Sequence, residues 1–167
     1  EKFSISIAQA GLLVSLFALA VAAAGPVMPL IFAGIDRKRV MLLVLSVFVL
    51  GNLISVFTDN FAVMLLARVV PAIFHPVYCS LAFSVAAASV SPEAAPRAVA
   101  KVIVGVSAGM VLGVPVSSFI AGSFSLTAAM AGFAVVNTAA LIATWLYIPS
   151  LPVAARLSYG QQLRVLK

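Results

Sequence analysis

Apolar residues in this chain run on for whole spans, and the polar ones are confined to the short gaps between. A bilayer core of about 30 Å is crossed by roughly 20 residues of helix. Five stretches meet or approach that length: 10–33, 40–57, 61–90, 102–122 and 127–148. The connections between them, 34–39, 58–60, 91–101 and 123–126, are short enough to make consecutive helices antiparallel neighbours. The pattern predicts an all-α integral membrane protein with five transmembrane helices, residues 1–148, followed by a polar tail over 149–167. The third stretch is longer than one crossing and is expected to tilt, or to project beyond the hydrocarbon at one end. In the tail, apolar residues alternate with Arg156, Gln161, Gln162, Arg164 and Lys167. That spacing suits an interfacial amphipathic helix, the start of a linker or a plain solvated tail.

Composition sharpens this. Of 167 residues, 64% are hydrophobic and 8% charged, with a mean hydropathy of +1.24, against about 25% charged in a soluble domain. The net charge of +6 does not point to nucleic acid, because the cations fall in clusters between apolar runs and form no basic face. They report topology instead, since cytoplasmic loops carry the excess of Lys and Arg. Three cations lie in 34–39, none in 58–60, two in 91–101, none in 123–126 and three in the tail. The alternation predicts a multi-pass cell-membrane protein with Glu1 outside and Lys167 in the cytoplasm. An outside start without a signal sequence leads us to expect a further span before Glu1.

Arg68 is the one charged residue inside an apolar run. An ionisable group at membrane depth costs about 2.5–3.5 kcal/mol on insertion scales, and such a group usually faces a cavity or a partner. Arg68 stands in LLARVVPAIFHPVYCSL, residues 65–81, with Pro71, His75 and Pro76. Snorkelling to the outer interface is the alternative for Arg68. Hydrogen-bonded packing is the alternative for His75. Neither a metal site nor a cofactor is expected, because His75 is the single histidine and Cys79 the single cysteine. In the fourth run, Gly105, Gly109 and Gly113 recur every four residues, so they share a face that another backbone can approach. Pro115 follows them and bends the helix. At the turn between the first two runs, Gly34, Asp36, Arg37 and Arg39 surround a predicted helix start. A carboxylate is favoured there by the helix dipole, while the cations hold the turn inside.

Together these three groups resemble the major facilitator superfamily. Gly34-Ile35-Asp36-Arg37-Lys38-Arg39 is similar to a shortened form of its signature cytoplasmic loop, lacking the second Gly and the Arg pair that follows. Arg68, followed by His75 seven residues later, resembles the fourth helix of the arabinose-efflux-like branch of the drug/proton antiporters. Ala72 and Pro76 stand where that branch usually has Gly. The run GVSAGMVLGVP over 105–115 is similar to the Gly/Pro motif of the branch's fifth helix, which packs against the other half of the transporter. The resemblance implies helices two to six of an amino-terminal half. The first helix and the carboxy-terminal half would then be missing partners. It implies proton-coupled efflux of sugars or small drug-like compounds by alternating access, with the lipid bilayer, a small-molecule substrate and a coupling proton as partners. The setting it implies is a bacterial inner membrane. Arg68 and His75 would serve transport, the 34–39 loop gating, and Gly105, Gly109, Gly113 and Pro115 the helix interface.

Glu1, Asp36, Asp59 and Glu93 all lie outside the apolar runs. A proton-coupled carrier generally needs an embedded group whose protonation can change, so we expect Arg68 to pair with an acid of the missing first helix. Asn52, Ser107, Asn137 and Thr144 are further candidates for a cavity wall, though such residues more often bond a neighbouring helix. A structural or assembly subunit is the competing class. An intramembrane hydrolase is not supported. His75 is five residues from Ser80 and nine from Ser84, with no acid to orient the ring and no nucleophile elbow.

Overall fold

The protein is described by a computed structural model over residues 7–150, with side chains from residue 11 onward. Six helices follow in chain order: α1 (Ile7–Ala24), α2 (Met28–Phe32), α3 (Arg37–Phe57), α4 (Phe61–Ala88), α5 (Ala95–Ser123) and α6 (Leu126–Tyr147). No strand occurs among the described residues. The four helices α3 to α6 are each long and apolar enough to cross a membrane.

The first run differs from expectation, because it is divided rather than continuous. Gly25 still donates to the Val21 carbonyl at 2.9 Å, but Pro26 has no N–H with which to continue the ladder. Val27 turns back to the Ala24 carbonyl at 3.1 Å, and Pro29 sits in the first turn of α2. A proline is tolerated there because the first amide of a helix lacks an intrahelical partner in any case.

Polar residues set the other boundaries. Asp36 caps α3 by accepting from the Arg39 amide at 3.0 Å. Asn60 caps α4 through the amides of Ala62 and Val63, and Ser125 caps α6 through that of Ala128. α4 runs unbroken through Pro71 and Pro76 for 28 residues, a length of about 42 Å that exceeds the hydrocarbon thickness.

Packing centres on α3 and α4. α3 lies against α4 and α6, whereas α1 packs chiefly on α4. The tightest crossing is at Gly51 of α3. A Cβ there would lie 2.9 Å from Pro71 Cγ and collide with the Ala67 carbonyl oxygen. That carbonyl is the one left without a helical donor by Pro71, four residues on. The Gly51 backbone covers it, and a Cα–H contact of this kind is a recognised feature of close helix pairs. At the end of the bundle bearing the 34–36 turn, Val40, Val44 and Val77 form a buried apolar core with Met28, Phe32, Phe48, Phe74, Tyr78 and Leu81 around it. α5 stands apart: it touches α4 and α6 and buries none of its residues.

Candidate functional site

Arg68 sits about two turns into α4, beyond the Asn60 cap. Its guanidinium does not extend along the helix to the nearby interface. It turns into the bundle, where Nη2 donates to Met130 Sδ of α6, and Cζ lies 5.8 Å from the centre of the Phe133 ring. A ring face attracts a cation through its quadrupole, and more strongly where water is sparse. Among the described residues no carboxylate pairs with Arg68. Asp36, Asp59 and Glu93 all lie in connections.

Two cavities meet at this arginine. The deeper, about 200 Å³, is lined by Phe17 of α1, Phe48 and Asn52 of α3, Ala67, Arg68 and Pro71 of α4, and Phe133 and Asn137 of α6. The wider, about 380 Å³, shares Phe17 and Arg68 and reaches Leu13, Met64, Leu126 and Met130. It lies toward the end of the bundle that carries the 58–60 and 124–125 turns. Asn52 and Asn137 each donate Nδ2 to a carbonyl four residues earlier, of Phe48 and Phe133, both at 2.9 Å. This fixes both amides and leaves their side-chain oxygens as acceptors. The deeper cavity therefore offers a fixed cation, two amide oxygens and three aromatic rings.

His75 lies seven residues beyond Arg68, on the same face of α4. Its ring meets Phe17 and Phe48 edge-on, each with a centroid separation of 6.3 Å. Phe17 and Phe48 thus form a layer that separates His75 from the arginine cavity. On its other side Cys79 Sγ lies 3.8 Å from both ring nitrogens. His75 is half-buried and does not line either cavity.

The remaining sequence candidates lie elsewhere. Asp36 accepts from the Arg39 amide and also from Ser150 Oγ at 2.7 Å, joining the 34–36 turn to the exit of α6. The Ser150 hydroxyl is the main reason, ahead of the Arg39 amide, that the Asp36 carboxyl is held below the usual carboxylate range. Arg37 and Arg39 form the first turn of α3 beside Gly34. Gly105, Gly109 and Gly113 lie along α5 with nothing within 4 Å of where a Cβ would stand, and Pro115 is exposed. Ser107 is exposed on the same helix, and Thr144 is buried away from the cavities. The polar tail beyond Ser150 lies outside the described residues.

Sequence reasoning missed Phe17, Gly51, Met130 and Phe133. Gly51 carried a signal, an isolated glycine inside an apolar helix. The other three are ordinary apolar residues whose role comes from a partner in another helix.

The Major Facilitator Superfamily model matches residues 1–164. The chain is 34% identical over 120 residues to the uncharacterized MFS-type transporter YfhI of Bacillus subtilis, covering 72% of this chain and 30% of that protein. It is 26% identical over 152 residues to a Pasteurella multocida protein named "Probable sugar efflux transporter", covering 91% and 38%. With the inner membrane transport protein YdhP of Escherichia coli the identity is 24% over 162 residues, covering 97% and 42%. The chain thus spans between 30% and 42% of the length of these relatives. No solved structure matches it. A family match along nearly the whole chain, to an all-helical bundle with four membrane-length helices, makes this protein a member of the major facilitator superfamily.

Proposed function

We propose that the chain is part of a secondary transporter that exports sugars or small drug-like compounds by alternating access, coupled to protons. It would supply helices two to six of the amino-terminal half, with Glu1 outside and Lys167 cytoplasmic. The observation that carries this reading is Arg68. A permanently charged guanidinium turned into a polar and aromatic cavity at membrane depth, with no carboxylate against it among the described residues, calls for an anionic counterpart. In our reading that counterpart is an acid on the first helix of the whole protein. Its protonation weakens the pair and frees the half to rock against its partner. His75 would respond behind the Phe17 and Phe48 layer. The 34–39 turn would gate the cytoplasmic side, and the open glycine face of α5 would meet the other half. The efflux named for the Pasteurella relative supports the direction and substrate class.

Proton-driven efflux by the whole transporter, reconstituted in vesicles, tests this. Arg68→Leu is expected to lower the rate roughly 100-fold, the equivalent of about 3 kcal/mol for breaking a buried ion pair, with Arg68→Lys recovering part of it. Unimpaired efflux by Arg68→Leu at equal membrane level would end the proposal. The open α5 face also suits a structural subunit docked on another membrane protein. That reading requires Arg68→Leu to leave transport intact and to disturb assembly.

A further inference from the structure

A third cavity, of about 170 Å³, lies at the opposite end of the bundle from the wide arginine cavity. Its walls are Phe32 and Ile35 from α2 and the following turn, Val77 and Leu81 from α4, and the polar side chains of Arg37, Ser80 and Ser84. The two hydroxyls are free to meet a ligand. Those of Ser46, Ser55, Ser89 and Thr138 bond to a carbonyl four residues earlier, the common arrangement for a hydroxyl inside a helix. Ser80 and Ser84 make no such bond among the described residues, and both face the cleft. Arg37 is likewise uncommitted: it forms no ion pair among the described residues, and the adjacent Asp36 carboxylate is engaged by the Arg39 amide and Ser150.

Depth identifies what meets these donors. Counted from Phe61, about 20 residues of α4 cross the hydrocarbon and reach Ser80. Ser80, Ser84 and Arg37 therefore lie at the level of lipid headgroups, while Pro29 and Phe32 border the acyl chains. This end of the bundle also carries Lys38, Arg39, Arg97 and Lys101, which draw anionic lipid toward it. One guanidinium and two hydroxyls, all donors converging above an apolar wall, suit a phosphodiester with a hydrocarbon tail.

We propose that Arg37, Ser80 and Ser84 form a binding site for the headgroup phosphate of one anionic phospholipid, whose acyl chain leaves over Pro29 and Phe32. The site is independent of Arg68 and does not rest on the transport reading. A free phosphate offers the same oxygens, but it leaves the apolar wall unused.

Native mass spectrometry of the whole transporter purified in detergent, titrated with phosphatidylglycerol, phosphatidylcholine or inorganic phosphate, tests the site. Phosphatidylglycerol is expected to be retained one per chain in preference to phosphatidylcholine. Arg37→Gln should weaken retention about fivefold. The Ser80→Ala/Ser84→Ala double variant, which leaves net charge unchanged, should weaken it by a similar factor. Arg97→Gln removes a cation at the same end but outside the cleft, and should weaken retention by clearly less than Arg37→Gln does. Helix content by circular dichroism confirms that each variant is folded. Equal retention of the two lipids, equal losses from Arg37→Gln and Arg97→Gln, or displacement of the lipid by inorganic phosphate would each overturn the proposal.

Discussion

Asp36 and Arg68 were both conspicuous in the sequence, one as a carboxylate before a helix and one as a cation inside an apolar run. The structure gives them different kinds of partner. The cap made by Asp36 is local, three residues long, and could be read directly; the bond from Ser150 comes from 114 residues away and could not. For Arg68 the charge was legible, but Met130 and Phe133 are the sort of residue that fills any membrane helix. The pH behaviour of Asp36 follows from its neighbours. An unfolded aspartate titrates near about 3.9, and the folded value is lower because Ser150 and the Arg39 amide favour the carboxylate. A depressed folded value adds stability that is fully present above the unfolded value and is lost as pH falls through the folded one. Asp36→Asn keeps a side-chain cap without the charge, so its thermal midpoint in detergent should fall below that of the parent at pH 6. The gap should close as pH drops below the ordinary aspartate range. Asp36→Ala, which removes the cap altogether, should cost about 1 kcal/mol. A gap unchanged down to the acid limit would mean that the carboxylate contributes nothing through its charge.

Among the elements, α3, α4 and α6 behave as a packed unit, and α5 does not. The sequence showed the glycine-every-four pattern in α5 and offered no comparable pattern in α3, yet the close approach of backbones occurs at Gly51. The reason is that Pro71 frees the Ala67 carbonyl, and a lone glycine opposite it is sufficient to let the helices close. The division of the first run was also written in the chain, as Gly25-Pro26 and Pro29. Hydropathy alone passes over it, because prolines are admitted in membrane helices when neighbours satisfy the backbone. The same substitution should therefore have opposite effects on the two helices. Gly51→Ala forces a methyl group into Ala67 and Pro71 and should destabilise the chain by about 1–3 kcal/mol. Gly109→Ala adds a methyl group to open space and should be neutral or stabilising by up to about 1 kcal/mol through helix propensity. Thermal unfolding of the two variants in detergent distinguishes them. A loss at Gly109 as large as that at Gly51 would show α5 already packed against a second surface.

For the molecule as a whole, the order of spans was legible because a bilayer imposes one length on every crossing and excludes polar connections from its interior. Which spans touch was less so: α1 rests chiefly on α4, although α3 is the next membrane-length helix in the chain. The apolar core near the 34–36 turn and the cavities near the 58–60 turn give the bundle a filled end and an open end. In the proposed orientation the filled, basic end faces the cytoplasm, as the excess of Lys and Arg there favours. Single-cysteine labelling can decide this. After Cys79→Ser, the Thr58→Cys variant should react with a membrane-impermeant maleimide added to intact cells. The Ser91→Cys variant should react only once the membrane is permeabilised. Ser91 shares its end of the bundle with Arg37, Arg97 and Lys101, so its accessibility reports on the basic clusters as a group. Labelling of Ser91→Cys from outside, with Thr58→Cys protected, would invert the bundle. The arginine cavity would then open toward the cytoplasm, and the export proposed above would have to begin, rather than end, at the Arg68 side.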